Sequence, residues 1–124
     1  MKYPFLRRSV VIRMLPTIDR YKVSLVARGK RKSKQTEKGF TQVFLNGDSL
    51  DTLATKNKTW LERRENFISR HLKGSGKMWK KNGYPTRKHL GLISWGYSPT
   101  PKAVTSFLNA IGSKNRKIKP FVEM

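Results

Sequence analysis

Between Thr59 and Tyr97 the apolar positions recur at three- and four-residue intervals, and the same stretch holds all three tryptophans and both histidines. Trp60, Leu61, Phe67, Ile68, His71 and Leu72 wind onto one stripe of a helix, while Glu62, Glu65, Asn66, Ser69 and Lys73 fall mainly on the far side. Thr59 and Glu62 have the spacing of a capping box, in which each side chain satisfies a backbone donor that the first turn leaves unpaired. Gly74 and Gly76 stop this helix, because so much backbone freedom in three residues opposes helical order. A second helix is predicted from Thr86, whose hydroxyl can cap it. Leu90, Leu92, Ile93, Trp95 and Tyr97 make it apolar on more than one side, hence buried, and Gly96 and Pro99 end it. A third follows Tyr97, with Thr100 as cap, Pro101 in the first turn, Val104, Phe107, Leu108 and Ile111 on one face, and Gly112 at the end.

The N-terminal half suggests strands. Residues 9–15 are rich in β-branched and large apolar side chains and run into Pro16, as a short strand would. Tyr21, Val23, Leu25 and Ala27 alternate with Lys22, Ser24, Val26 and Arg28, a period of two. After the polar run Arg28–Gly39, Phe40–Leu45 reads as a returning strand closed by the Asn46-Gly47 turn signal. The predicted fold is therefore α+β: a small N-terminal antiparallel β-hairpin or three-stranded meander, then two or three packed helices, with basic terminal arms. A chain of 124 residues has room for one domain, with strands at about 9–45, a helical core at about 59–111 and a basic C-terminal arm at 112–124.

Charge changes the picture most. Lys and Arg number 28 against seven Asp and Glu, a net charge of +21, and self-repulsion of that size calls for a polyanionic partner. Nucleic acid, an acidic protein surface and an anionic membrane are the classes to weigh. Without cysteine there is neither a disulfide framework nor a thiolate site. The N-terminal apolar run is broken by arginines and prolines and lacks a small-residue cleavage site, which argues against a signal peptide. No stretch approaches the roughly 20 apolar residues of a spanning helix, so no membrane span is expected.

The candidate anion- or partner-binding residues are the cations of the polar loop, Arg28, Lys30, Arg31, Lys32, Lys34 and Lys38, which would gain counterion-release free energy on a phosphate backbone. Lys77, Lys80 and Lys81 surround Trp79, a composition that suits base stacking, although burial beneath the helices is the better use of so large a ring. Lys114, Arg116, Lys117 and Lys119 make the tail basic, and Phe5 and Phe121 are candidate apolar anchors for a neighbouring subunit. Arg64 interrupts the first helix's apolar stripe. Either its stem lies along that face with the head in water, or the guanidinium stacks on a tryptophan or meets an anionic partner.

Little speaks for catalysis. His71, His89, Glu62, Glu65, Asp48 and Asp51 are the plausible proton carriers or hard metal ligands, and they do not cluster in sequence. No Walker loop or dinucleotide-binding glycine pattern is present, so no catalytic residue, metal, cofactor or small-molecule substrate is expected.

Tyr21, Lys22 and Val23, then Arg63, Arg64, Phe67, Arg70 and His71, then Trp79 and Trp95, reproduce the order of a Lys-Val hairpin, an Arg-Arg-x-x-Phe-x-x-Arg-His helix and two later aromatics. Over about residues 20–97 the chain thereby resembles a family of small basic proteins of large double-stranded DNA viruses. The resemblance implies a virion component and brings no catalytic residues. The expected function is a non-enzymatic minor capsid protein that bridges acidic capsid subunits through its basic loop and arms, located in the virion. The alternative is a sequence-nonspecific binder of DNA or RNA backbone, of genome-condensing or ribosomal type, in the cytoplasm or nucleus of the host.

Overall fold

The computed structural model describes residues 3–23, 27–31, 34–35 and 38–112, and five helices account for most of them: α1 (Arg8–Arg20), α2 (Phe40–Asn46), α3 (Trp60–Lys73), α4 (Arg87–Ser94) and α5 (Pro101–Gly112). The chain is mainly helical, which overturns the expected α+β fold with its N-terminal hairpin or meander. In place of that sheet the described residues hold one two-residue antiparallel pairing, Lys30 opposite Gln35 and Arg31 opposite Lys34.

Two of the expected strands are helices, for a reason visible in which side chains are buried. Val10, Val11, Met14 and Ile18 of α1 face the core, whereas Ile12 is 51% exposed. A strand would have placed Val10, Ile12 and Met14 on one side; the observed set follows the 3.6-residue period. Pro16 lies inside α1 and is exposed, and its missing N–H leaves one helical hydrogen bond unmade. In α2, Phe40, Val43 and Phe44 are buried with Thr41, and polar Gln42 falls where a strand would need a third inward residue. Burial on a helical face outweighs the β propensity of these runs. Of the remaining expected strand, Tyr21 and Lys22 form a turn, Ala27 and Arg28 form another, and residues 24–26 lie outside the described residues.

The three C-terminal helices follow the sequence pattern closely. Thr59 Oγ1 accepts from the Glu62 N–H at 3.2 Å while Glu62 Oε1 accepts from the Thr59 N–H at 3.2 Å, completing the capping box of α3. Thr86 caps α4 by accepting from the His89 N–H. On α5, Val104, Phe107 and Leu108 are buried, but Ile111 is 50% exposed and so falls outside the core. Leu72, counted with the apolar stripe of α3, is likewise exposed.

α1 packs on α2, α4 and α5, and α3 packs on α4. Through the middle runs a stack of rings: Phe5 on Phe44, Phe44 on Phe40, Phe40 on Trp95, Trp95 on Phe67 and Phe67 on His71, each pair within 25° of parallel. Phe5 is 1% exposed, so the residue expected to anchor a neighbouring subunit is instead the end ring of this chain's own core. Gly39, between the polar loop and α2, has no room for a side chain because a Cβ would run into the carbonyl oxygen of Ala27.

Basic side chains hold the helices to one another. Arg8 donates to Phe44 O near the end of α2, and Arg13 to Leu108 O near the end of α5. Arg87 donates to Tyr21 O and Lys22 O just past α1, Lys88 to Gly74 O just past α3, and Arg64 to Trp95 O and Gly96 O just past α4. Each helix thus has a cation from another element at or near its C-terminal end. There the last carbonyls lack intrahelical partners and the helix dipole is negative. Part of the positive charge that the sequence assigns to an outside partner is consumed within the fold.

Arg64 is the most completely enclosed of these cations, at 1% exposure. Its Nη groups also donate to Tyr3 O at 2.6 Å and Pro4 O at 3.0 Å, so four carbonyls surround the guanidinium. Neither sequence-based expectation for Arg64 holds: the head is not in water, and the ring beneath it is Phe5 rather than a tryptophan. Burial lowers its pKa to about 10, which still leaves the group charged at neutral pH.

A candidate polyanion-binding face

Thr59 fixes the start of α3, and from that cap the positions Arg63, Asn66, Arg70 and Lys73 follow at intervals of three, four and three, which places them on one side of the helix. Opposite them, the 52–58 loop is held by Ala54 and Thr55 donating to Lys58 O and by Trp60 donating to Thr52 O. Between loop and helix lies a cleft of about 830 Å³. Lys58, Arg63, Arg70 and Lys73 supply its cations, and Thr55, Asn57, Asn66 and Ser69 supply neutral hydrogen-bonding groups. Phe67 and Trp95 form its floor. No carboxylate lines it among the described residues.

A second cleft, of about 760 Å³, shares Phe67 and Arg70 with the first and continues over His71, Arg87 and Lys88 to Gly91 of α4. Gly91 packs beside Phe67 and Val23, whose nearest atoms lie 3.7 and 3.9 Å from the position a Cβ would take. The two clefts make one basic face across α3 and α4. Within it Arg63 is half-buried, with Cζ 5.5 Å from the Trp60 ring and 5.9 Å from the Trp95 ring, so its position is set by the core. Lys58, Arg70 and Lys73 are exposed.

The residues nominated from sequence are placed differently from one another. Arg28 is buried and forms an ion pair with Asp19 at 3.2 Å. Lys38 is exposed and lies 3.8 Å from Asp48. Lys30, Arg31 and Lys34 are described in backbone only, while Lys32, Lys114, Arg116, Lys117, Lys119 and Phe121 lie outside the described residues. Lys77, Lys80 and Lys81 are exposed, with the Lys80 ammonium 5.4 Å from the centre of the Tyr21 ring. Trp79 packs edge-on against His89 and donates to Thr100 Oγ1, so its ring serves the core. Sequence reasoning passed over the basic stripe of α3 as a site, although its 3-4-3 spacing was readable.

One arrangement has the outline of a nucleophile and its base: Ser98 Oγ lies 2.7 Å from His89 Nε2. Both residues are completely buried, and no substrate atom can reach the hydroxyl. The His89 Nδ1–H donates to Met78 O, Ser98 donates to Nε2, and Ser98 Oγ accepts from the Thr100 N–H, so the network is closed on itself. Burial pushes the His89 imidazole down to about 4, and the Met78 carbonyl opposes this only in part. His89 is therefore neutral, and it ties the start of α4 to the turn before α5. No group of three His, Asp, Glu or Cys that could hold a metal occurs among the described residues. No helix among them is long and apolar enough to cross a membrane.

Searches of protein-family models, curated proteins and solved structures find nothing that matches this chain.

Proposed function

We propose that the chain is a non-enzymatic structural protein of a large assembly, most specifically a minor capsid protein in the virion of a large DNA virus, bridging acidic neighbouring subunits through its basic surface. The observation that supports this reading is the face across α3 and α4, which presents Lys58, Arg70 and Lys73 in solvent with no described carboxylate among its lining residues. Cations grouped without counter-charges steer a partner of opposite sign and fix its register. The seven acids leave a net charge of +21, and hydrogen bonds to internal carbonyls do not neutralise it. Lys77 and Lys81 are further exposed cations.

The test is zero-length lysine–carboxylate cross-linking of intact particles that contain the chain, followed by peptide mapping. Cross-links from Lys58, Lys73, Lys77 or Lys81 to Asp or Glu of neighbouring subunits are expected. Recovery of the chain from the treated particles only as an unlinked monomer would overturn the reading.

A second reading, a sequence-nonspecific nucleic-acid-binding protein, is favoured by one observation. The cations of the first cleft alternate with neutral donors, Asn66 and Ser69 between Arg63 and Arg70, and sugar–phosphate contacts use that mixture.

A further inference from the structure

We propose that the cleft between the 52–58 loop and α3 holds a single strand of nucleic acid by its phosphates, with the bases turned away from the protein. The proposal rests on the second reading above, nucleic-acid binding, and it assigns the partner of one particular cleft.

The cleft's shape favours a strand over an acidic protein surface. Arg63, Arg70 and Lys73 form a row that spans roughly 15 Å at the rise of an α-helix. Lys58 faces that row from the loop. A hollow of about 830 Å³ is in the range that encloses a small ligand or a short length of slender chain. Asp and Glu side chains on a folded neighbour are short, and most would stop at the rim of a concave site. A nucleic-acid backbone presents its charges along a continuous thread that can lie inside. Asn57, Asn66, Thr55 and Ser69 then meet the phosphate and sugar oxygens between the cations.

The rings on the floor decide how the strand is held. Single-strand binders ordinarily stack bases on exposed aromatic faces. Here Trp95 is 3% exposed and stacks with Phe40 at 4.8 Å and with Phe67 at 5.0 Å. Phe67 is covered in turn by Trp95 and by His71 at 3.9 Å. Rings already engaged in the core stack are poor platforms for a base, so recognition is left to the backbone and is blind to sequence.

The test follows fluorescence anisotropy of a labelled oligo(dT) strand about 20 nucleotides long, titrated with the full chain at several salt concentrations. Lys58→Gln, Arg70→Gln and Lys73→Gln combined should lower the slope of log affinity against log salt by about 2, at roughly 0.7 per lost phosphate contact. The same variant should weaken binding about ten-fold or more near 0.15 M salt. A control with equal charge loss elsewhere, Arg20→Gln, Lys22→Gln and Lys102→Gln, should change affinity less than about three-fold. All six residues are exposed, and circular dichroism melts verify that both variants keep the parent fold. Oligo(dA) should bind within about three-fold of oligo(dT).

Equal weakening by the two triple variants would mean diffuse charge and would overturn the proposal. So would a preference of more than about ten-fold between the two homopolymers, which requires base contacts. Polyglutamate that competes as well per charge as the oligonucleotide would hand the cleft to an acidic protein, sinking the proposal while the first reading, acidic neighbouring subunits, survives. Binding of neither polymer at physiological salt would remove both.

Discussion

The guanidinium carbon of Arg64 lies 3.8 Å from the centre of the Phe5 ring, and this contact joins the N-terminal segment to the helical core. Around it the same side chain donates to the carbonyls of Tyr3 and Pro4 on one side and of Trp95 and Gly96 on the other. Leu6 reinforces the junction by donating its N–H to Gly96 O at 2.7 Å. A buried charge is tolerable when its donors find acceptors and its ring neighbour offers a negative face.

Arg64→Met should destabilise the chain by about 4 kcal/mol, because it leaves several buried carbonyls unpaired. Arg64→Lys keeps the charge but replaces a planar fork with a point donor, and should lose about 2 kcal/mol. Urea denaturation of the three proteins measures both. A Met variant as stable as the parent would show that the junction is held by apolar packing alone.

Acid should weaken the fold through His89. Between about 4 and 6.5 the unfolded chain binds a proton that the buried imidazole refuses. Stability from this group is therefore complete above about 6.5 and declines as the pH falls toward 4, by roughly 3 kcal/mol in all. His89→Gln should be less stable than the parent at neutral pH and should lose this part of the slope. Chemical denaturation at a series of pH values gives the difference directly, and parallel profiles for the two proteins would contradict the assignment.

Two glycines should respond to alanine for opposite reasons. Gly39→Ala forces a methyl against the fixed carbonyl of Ala27 and should cost about 2 kcal/mol or more. Gly47→Ala meets open space, but its φ of 78° is left-handed, so the loss should be about 1 kcal/mol. Thermal melts of the pair rank them, and the reverse order would mean that the Gly39 turn can relax.

Arg87→Ala should lower stability by about 0.5–1 kcal/mol, since it removes the donors at the end of α1. Because this side chain is exposed, the loss should shrink as salt screens the charge. A salt-independent loss in denaturation experiments would indicate that packing of the stem, not charge at the helix end, is what matters.

Legibility varied along the chain for physical reasons. α3, α4 and α5 could be read because their signals are local: Thr59 with Glu62, Thr86 and Pro101 at the starts, and apolar residues at helical spacing behind them. The same logic failed at α1 and α2. Val10 to Leu15 and Phe40 to Leu45 are short apolar runs in which helix and strand patterns overlap, and β-branched composition tipped the reading to strands. The partners that decide such runs are distant in sequence: α4 and α5 for α1, and the rings of Phe5 and Trp95 for α2.

For the candidate face, Arg63, Arg70 and Lys73 stand at readable positions on α3, but charge density drew attention to Arg28–Lys38 instead. Composition cannot distinguish a cation in solvent from one bound inside. Arg28 and Arg64 prove to be buried, while Arg70 and Lys73 stand in solvent beside a cleft.

What the sequence determined by itself was the run of helices from Thr59 to Gly112 and a charge of +21, because both are sums over neighbouring residues. Only the tertiary structure decided that the N-terminal half is helical, that Phe5 is core, and which cations are used to close helix ends. Those outcomes depend on which faces meet across long sequence separations, and burial against a distant partner outweighs the fraction of a kcal/mol that local propensity supplies per residue.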